Sequence, residues 1–229
     1  MKPFKKYLLV MPIILCSTGP KSDNTSDTGM QNKVNRRGSQ ALIDYVGRIT
    51  GSYNLDMGVQ VYIDTTIGIR YEFTVEDVSE NVLSHIAIFY KFSNPTQSVE
   101  YDFVRHKSSL IKYGGSSDSN PDVYVIGQET LDSFDCTHLQ HGGDTKEISD
   151  FWMSPKVPGF SKLVNSLRNI SPALPSMFLS STIFNWGGLV KWTIRDLSES
   201  GTTVNLEMHL FTADTNVILK PKVFDVPTN

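Results

Sequence analysis

The chain has 229 residues, enough for one large domain or two small ones. Hydrophobic residues make up 39% and charged residues 20%, which excludes both a disordered chain and a membrane-embedded one. The net charge of −3 is unevenly spread: residues 1–38 carry seven basic and two acidic side chains, and the other 191 residues carry 14 basic and 22 acidic ones. A basic N-terminal arm thus precedes an acidic body, which is typical of contact with a polyanion or an anionic membrane surface.

The first 16 residues, MKPFKKYLLVMPIILC, join a charged start to an apolar run from Tyr7 to Cys16, and two interpretations stay open. The pattern is close to a secretory signal peptide, and the run is too short for a transmembrane helix. However, Leu15 stands where signal processing requires a small residue, and Pro12 breaks the apolar helix. These two residues favour a retained arm that packs along another surface. The mass of the mature N-terminus distinguishes the two, because a signal is removed or leaves a lipid on Cys16.

Residues 17–40 form a linker rich in Ser, Asn, Asp and Gly, with too few apolar side chains to fold alone. The sequence therefore predicts an extended arm and linker over residues 1–40 and one folded domain over residues 41–229.

From Ala41 onward, apolar residues recur mostly with a period of two, as in half-buried strands. The segments IGIRYEFTVE (67–76) and VNLEMHL (204–210) alternate most regularly. Six more segments are predicted strands, with turn-forming residues between them: 59–64, 85–92, 99–104, 122–127, 189–194 and 216–220. Together they predict an all-β fold, an antiparallel β-sandwich of jelly-roll type.

One segment changes period. In FSKLVNSLRNI (160–170), four apolar residues stand at the spacing of one helix face: Phe160, Leu163, Val164 and Leu167. Pro172 follows and cannot continue a helix. The sequence therefore predicts one principal amphipathic helix near residues 160–170, covering a sheet edge or a loop.

The segment DCTHLQHGGD (135–144) holds four potential metal donors, Cys136, His138, His141 and Asp144. Zinc sites use such donors, but no second donor pair of the usual spacing occurs elsewhere in the sequence. We interpret the segment as an exposed polar loop with a free cysteine, and we expect neither a metal nor another cofactor.

No phosphate-binding or dinucleotide-binding motif is present, so no catalytic residue is assigned and the chain is predicted not to be an enzyme. A Cys–His or Ser–His–Asp system assembled in space would leave no mark in sequence spacing.

The segment IFNWGGLVKWTI (183–194) places a glycine pair before a predicted strand. Glycines permit a sharp approach into a strand at little steric cost, and the aromatic residues anchor it. Trp186 and Trp192 are six residues apart, so a continuous strand would turn them to the same side.

Together with SLRN (166–169), this segment resembles a stretch of the jelly-roll capsid proteins of picorna-like positive-strand RNA viruses, especially insect-infecting ones. The matching residues are Ser166, Leu167, Arg168, Phe184, Trp186, Gly187, Gly188 and Trp192. The resemblance covers about one-eighth of the chain.

That resemblance implies a structural capsid subunit of a small icosahedral shell, which contacts other capsid chains through its arm and sandwich faces. It places the protein in the virion, with the basic arm facing genomic RNA and no small-molecule substrate. The arm residues concerned are Lys2, Lys5, Lys6, Lys21, Lys33, Arg36 and Arg37. The alternative is a secreted or lipid-anchored β-sandwich that binds a ligand, a glycan or a surface partner, with residues 1–16 as its signal peptide.

Overall fold

The computed structural model describes residues 40–51, 53–94, 96–112, 123–141, 147–157, 186–196 and 204–228. These residues form an eleven-stranded sheet and one 3₁₀ turn, Pro221–Phe224. In chain order the strands are β1 (Gln40–Gly51), β2 (Leu55–Asp64), β3 (Gly68–Asp77), β4 (Val82–Lys91), β5 (Gln97–Asp102), β6 (Lys107–Lys112), β7 (Val123–Leu131), β8 (Phe134–His141), β9 (Glu147–Ser154), β10 (Gly188–Asp196) and β11 (Val204–Asp214).

The sheet consists of two antiparallel meanders joined side by side. In the first meander, β1–β6, each strand pairs with the next, and the second meander, β7–β11, is built in the same way. The first strand then pairs with the last, so the order across the sheet is β6-β5-β4-β3-β2-β1-β11-β10-β9-β8-β7. The chain's first described strand therefore lies at the centre of the sheet, and β6 and β7 are its edges.

The prediction of an all-β antiparallel fold is confirmed, but the jelly-roll sandwich is not found. The described strands form one open sheet, whereas a jelly roll packs two sheets face to face. Alternation in the sequence shows only that each strand has one buried and one wet side. The pairing of β1 with β11 decides the matter, because it merges both meanders into a single layer.

Seven of the eight predicted strands are confirmed, since they overlap β2, β3, β4, β5, β7, β10 and β11. The eighth, 216–220, is wrong. The Leu219 N–H donates to the Gln40 side chain at 3.0 Å rather than to a neighbouring strand, and Pro221, which follows, has no N–H to donate. The sequence does not predict β1, β6, β8 and β9. The helix predicted near residues 160–170 lies outside the described residues. So does the predicted arm and linker of residues 1–40, except Gln40, which begins β1 and is buried.

Alternate side chains of each strand point to opposite sides of the sheet, and the two sides differ sharply. One side, termed the apolar face, carries most of the buried hydrophobic residues of β1–β4 and of β8–β11. The other side, termed the polar face, carries ion pairs and hydrogen-bonded side chains, together with a smaller buried cluster of Ala87, Phe89 and Tyr101 on β4 and β5. On β11, for example, Leu206 and Met208 are buried while Glu207 between them is exposed, as the alternation of VNLEMHL predicts.

The apolar face is buried although the described residues form a single layer. Leu139 and Met153 on this face are both 0% exposed. A flat single sheet would leave its faces open to solvent, but twisted sheets of about ten or more strands curl. An eleven-stranded antiparallel sheet is in that size range, and its apolar face is closed to solvent.

The C-terminal segment packs on the opposite side. Beyond β11 the chain crosses the polar face, and its 3₁₀ turn lies against β3 and β4. Arg70 of β3 donates to the Val223 carbonyl at 3.2 Å, and Lys91 of β4 pairs with Asp225 at 2.8 Å. These contacts fix the segment to the first meander.

Candidate functional site

The centre of the apolar face is a row of six residues from six neighbouring strands. Cross-strand register aligns them in the order Met57, Gly47, Met208, Trp192, Phe151 and Leu139. The rings of Trp192 and Phe151 are stacked, with centroids 5.9 Å apart and an interplanar angle of 10°. Methionine side chains adjust their shape to varied apolar neighbours. The row is therefore suited to contact with an apolar molecule of variable shape.

Gly47 lies in this row between the two methionines. A Cβ at Gly47 would lie 2.6 Å from the Glu207 carbonyl oxygen of β11, so the close approach of the two central strands requires glycine. Burial raises the pKa of the nearby Tyr45 hydroxyl, so this part of the face carries no charge near neutral pH.

The polar face of the second meander is organised around Asp150, a buried carboxylate on β9. It accepts hydrogen bonds from Gln140 Nε2 at 2.8 Å, His138 Nε2 at 3.0 Å and Arg195 Nη2 at 3.1 Å. Burial raises the pKa of Asp150, but the hydrogen bonds from these three donors outweigh burial and hold the pKa below its ordinary value. Asp150 is therefore a fixed negative charge whose donors come from both neighbouring strands.

His138 lies between two carboxylates of this network. Its Nδ1 is 3.3 Å from Glu129 Oε1, while its Nε2 faces Asp150. The imidazole stacks on the Trp152 ring at 4.3 Å, and Lys191 Nζ lies 5.2 Å from the centre of the same indole. Because both ring nitrogens face carboxylates, neither one is directed at a hydroxyl or thiol that it could activate.

A second cluster occupies the polar face of the first meander. Glu72 forms ion pairs with Arg70 and with His85, and the His85 ring stacks on Phe103 at 4.3 Å. The Arg70 guanidinium lies over the Tyr62 ring, 5.1 Å from its centre. The cluster joins β3 to β4 and, through Arg70, holds the C-terminal segment. Its contacts are those of a structural ion-pair network.

The potential metal donors of residues 135–144 belong largely to a strand, so their interpretation as an exposed loop is wrong. Cys136 is buried on β8, and burial raises the pKa of its thiol, which makes it a poor nucleophile. Register places His138 on the polar face and His141 on the apolar face, so the two histidines point apart. Asp144 lies outside the described residues.

Within the part of the chain that the structure describes, no group of three or more His, Cys, Asp or Glu side chains is placed to hold a metal ion. The absence of a metal from the whole protein stays a prediction. Among the same residues, no helix is long and apolar enough to cross a bilayer.

The tryptophan–glycine segment lies where β10 begins. Gly187 has a φ of 122°, and a Cβ there would lie 2.2 Å from the Ser154 carbonyl oxygen, so the turn into Gly188 requires glycine. Trp186 precedes the strand and is exposed, whereas Trp192 is buried in the apolar face. The remaining motif residues lie outside the described part of the chain, as do the basic arm residues: Ser166, Leu167, Arg168, Phe184, Lys2, Lys5, Lys6, Lys21, Lys33, Arg36 and Arg37.

Sequence reasoning did not single out Ser149, Asp150, Glu129 or Arg195. The available signal was the strict alternation of EISDFWMS, which places Asp150 and Trp152 on one side and Ser149 and Phe151 on the other. Because both sides mix polar and apolar residues, the segment does not look like a half-buried strand.

No family model and no curated protein matches this chain. Several solved structures do match over most of its length. An uncharacterized conserved protein from Thermus thermophilus is 10% identical, with 81% of this chain and 86% of that chain covered and a TM-score of 0.44. A LolA superfamily protein from Nitrosomonas europaea is 13% identical, with 82% of this chain and 91% of that chain covered and a TM-score of 0.34. A lipoprotein from Mycobacterium tuberculosis is 10% identical, with 78% of this chain and 88% of that chain covered and a TM-score of 0.35. Such values establish neither a common family nor a shared ligand.

The resemblance to picorna-like capsid proteins is wrong. A jelly-roll capsid domain packs two sheets face to face, whereas the described strands form one open sheet in meander order. A short motif of tryptophans and glycines fixes how one strand begins but not how strands are ordered. The inferred capsid partners, the genomic RNA and the virion location are wrong for the same reason.

Proposed function

We propose that this chain is a non-enzymatic binding protein that holds an apolar molecule, such as the acyl chain of a lipid, against the apolar face of its sheet. The observation that carries the proposal is the continuous row of apolar residues across β2, β1, β11, β10, β9 and β8. The described C-terminal segment packs on the polar face and leaves this row to other contacts. Curled sheets with an apolar interior commonly enclose such ligands.

The side chains that could serve as catalysts support a binding role. Both nitrogens of His138 face carboxylates, and His85 and His209 each pair with a glutamate. Burial raises the pKa of the Cys136 thiol, which lowers the fraction present as thiolate. These groups stabilise the polar face rather than act on a substrate.

Residues 1–16 support export as part of the same proposal. Their charged start and apolar run have the pattern of a signal peptide, and Cys16 is the residue to which a lipid anchor would be attached. An exported or envelope-attached location is consistent with a protein that handles apolar molecules outside the cytoplasm.

The three tryptophans of the chain allow a test of which face binds. Trp192 lies in the apolar face, Trp152 on the polar face and Trp186 is exposed before β10. A protein that retains only Trp192 (W152F/W186F) is compared with one that retains only Trp152 (W186F/W192F). An acyl chain labelled with bromine quenches indole fluorescence on contact. We expect saturable quenching of Trp192 and little or none of Trp152.

Both variants keep an aromatic ring at every substituted position, so circular dichroism and thermal melting should confirm that both remain folded. Equal quenching of Trp192 and Trp152, or no saturable quenching of either, would contradict binding at the apolar face.

A further inference from the structure

The apolar face contains two buried polar atoms, Ser149 Oγ and Trp192 Nε1, that have no hydrogen-bond partner among the described residues. Ser149 is 1% exposed and Trp192 is 8% exposed, so solvent does not reach these atoms. Buried polar groups in folded proteins are nearly always hydrogen-bonded, and each one left without a partner costs free energy. Two buried polar atoms without a hydrogen-bond partner on this face need an explanation.

The two atoms belong to one patch. In the register of β9 and β10, Phe151 lies opposite Trp192 and Ser149 lies opposite Ile194, so Ser149 and Trp192 are diagonal neighbours on the same face. Diagonal neighbours are close enough for a long aromatic side chain to reach the same point as a short one. An indole N–H can only donate, and a serine hydroxyl can donate as well. One acceptor oxygen placed over this pair would satisfy both.

The charge of the acceptor follows from its surroundings. Phe151, Ile194 and Met208, which lie beside the pair on the apolar face, are uncharged, and the next register position along β9 and β10 is occupied by two acidic residues, Glu147 and Asp196. The cations of β10 lie on the polar face, where Lys191 pairs with Glu207 and Arg195 pairs with Asp150. His141 lies opposite Ser149 on this face, and the comparison of the free acid with the ester tests whether an ionised ligand is preferred there. A carboxylate buried without a cation is strongly disfavoured, whereas a carbonyl needs only the two donors.

We infer that Ser149 and Trp192 form the polar anchor of the ligand site and that they bind the uncharged carbonyl oxygen of an acyl ester or amide. The inference rests on the proposed binding function and adds the class of ligand to it. The hydrocarbon chain would extend from the anchor along the row toward Met208.

The test compares the methyl ester, the free acid and the alkane of one chain length, each measured by displacement of a fluorescent acyl probe from the full chain. Ser149→Ala removes the hydroxyl, and Trp192→Phe removes the N–H but keeps an aromatic ring. We expect the wild type to bind the ester about tenfold more tightly than the alkane, and each variant to lose about three- to tenfold of ester affinity with alkane affinity nearly unchanged.

Ser154→Ala is the matched control. Ser154 is a buried serine on the same strand, and its hydroxyl already accepts the Lys156 N–H at 3.2 Å, so its removal should leave the ester preference intact. The anchor is wrong if the ester and the alkane bind equally, if the variants keep the preference, or if the free acid binds more tightly than the ester. Failure of all three compounds to displace the probe would instead overturn the proposed function itself.

Discussion

On the polar face of the sheet, the buried carboxylate of Asp150 meets three donors, whereas on the apolar face the buried hydroxyl of its neighbour Ser149 meets none among the described residues. The two residues are adjacent on β9 and point to opposite sides. On the polar face, therefore, the group whose burial would cost the most free energy, a charged carboxylate, has hydrogen-bond partners. The apolar face keeps two polar atoms that the described fold does not satisfy.

The contrast separates the roles of the two faces. The polar face is a scaffold, because its ion pairs link each strand from β7 to β11 to the next and fasten the C-terminal segment to β3 and β4. Among the described residues, one buried polar atom of this face has no hydrogen-bond partner. It is Nε of Arg70, whose guanidinium lies over the rings of Tyr62 and Phe89. The apolar face stabilises the fold by burial and is also the surface with unmet hydrogen-bonding capacity, which is the combination that a ligand site requires.

The largest expected effect comes from placing a charge on each face in turn. Ile49 and Thr50 are adjacent on β1, the first buried in the apolar face and the second exposed on the polar face. Ile49→Asp buries an unpaired carboxylate between Leu55 and Leu206 and should destabilise the protein by about 4 kcal/mol or more. Thr50→Asp should change the free energy of unfolding by less than about 0.5 kcal/mol.

Urea denaturation of the two variants measures this difference. Similar losses for Ile49→Asp and Thr50→Asp would mean that the apolar face is not closed to solvent, and the contrast between the faces would disappear.

A smaller effect is expected from removing the buried charge of the polar face. Asp150→Asn keeps the shape of the side chain but turns an amide group toward donors that need an acceptor. Hydrogen bonds to charged groups contribute about 2 kcal/mol each, and we expect a loss of stability of that size. Glu207→Gln is the control, since Glu207 is 52% exposed and its pair with Lys191 should contribute less than about 1 kcal/mol.

The pH dependence of the same variant tests the origin of the loss. The pKa of Asp150 is depressed in the folded protein, so its contribution is complete above the ordinary value of 3.8 and is lost as pH falls below that value. The stability gap between wild type and Asp150→Asn should therefore narrow below about pH 4. A gap that stays constant through this range would show that the carboxylate is not held in its ionised form.

The sequence predicts the strands with regular alternation and fails where both sides of a strand are mixed. β3 and β11 turn every second side chain to the apolar face, and their alternation is plain in the letters. β8 and β9 carry histidine, aspartate and tryptophan on the polar face and serine or threonine on the apolar face, so their period is hidden. The alternation of apolar and polar residues does not distinguish one sheet from two packed sheets, because both arrangements bury one side of each strand. The pairing of β1 with β11 joins residues more than 150 positions apart and leaves no local signal.

The candidate site is less predictable than the fold for a related reason. Trp192 stands out in the sequence as a packing residue, and it does stack on Phe151. Ser149 does not stand out, because whether a serine has a partner depends on strands that lie far away in the chain. The carboxylate of Asp150 and the orphan hydroxyl of Ser149 become distinct only once the register places them on opposite faces.

The smallest expected effect is a difference in stability between alanine variants of two buried serines of β9. Ser149 is 1% exposed with an unpaired hydroxyl, and Ser154 is 0% exposed with a hydroxyl that accepts the Lys156 N–H at 3.2 Å. Removing an unpaired buried polar atom relieves its desolvation cost, so Ser149→Ala should leave the ligand-free protein as stable as the wild type or more stable by up to about 1 kcal/mol. Ser154→Ala removes one member of a hydrogen bond and should cost about 1 kcal/mol. Thermal melting of the delipidated proteins shows whether each substitution raises or lowers the stability as expected. If Ser149→Ala is destabilising by as much as Ser154→Ala, the Ser149 hydroxyl already has a partner in the free protein, and the apolar face has no unmet donor at that position for a ligand to satisfy.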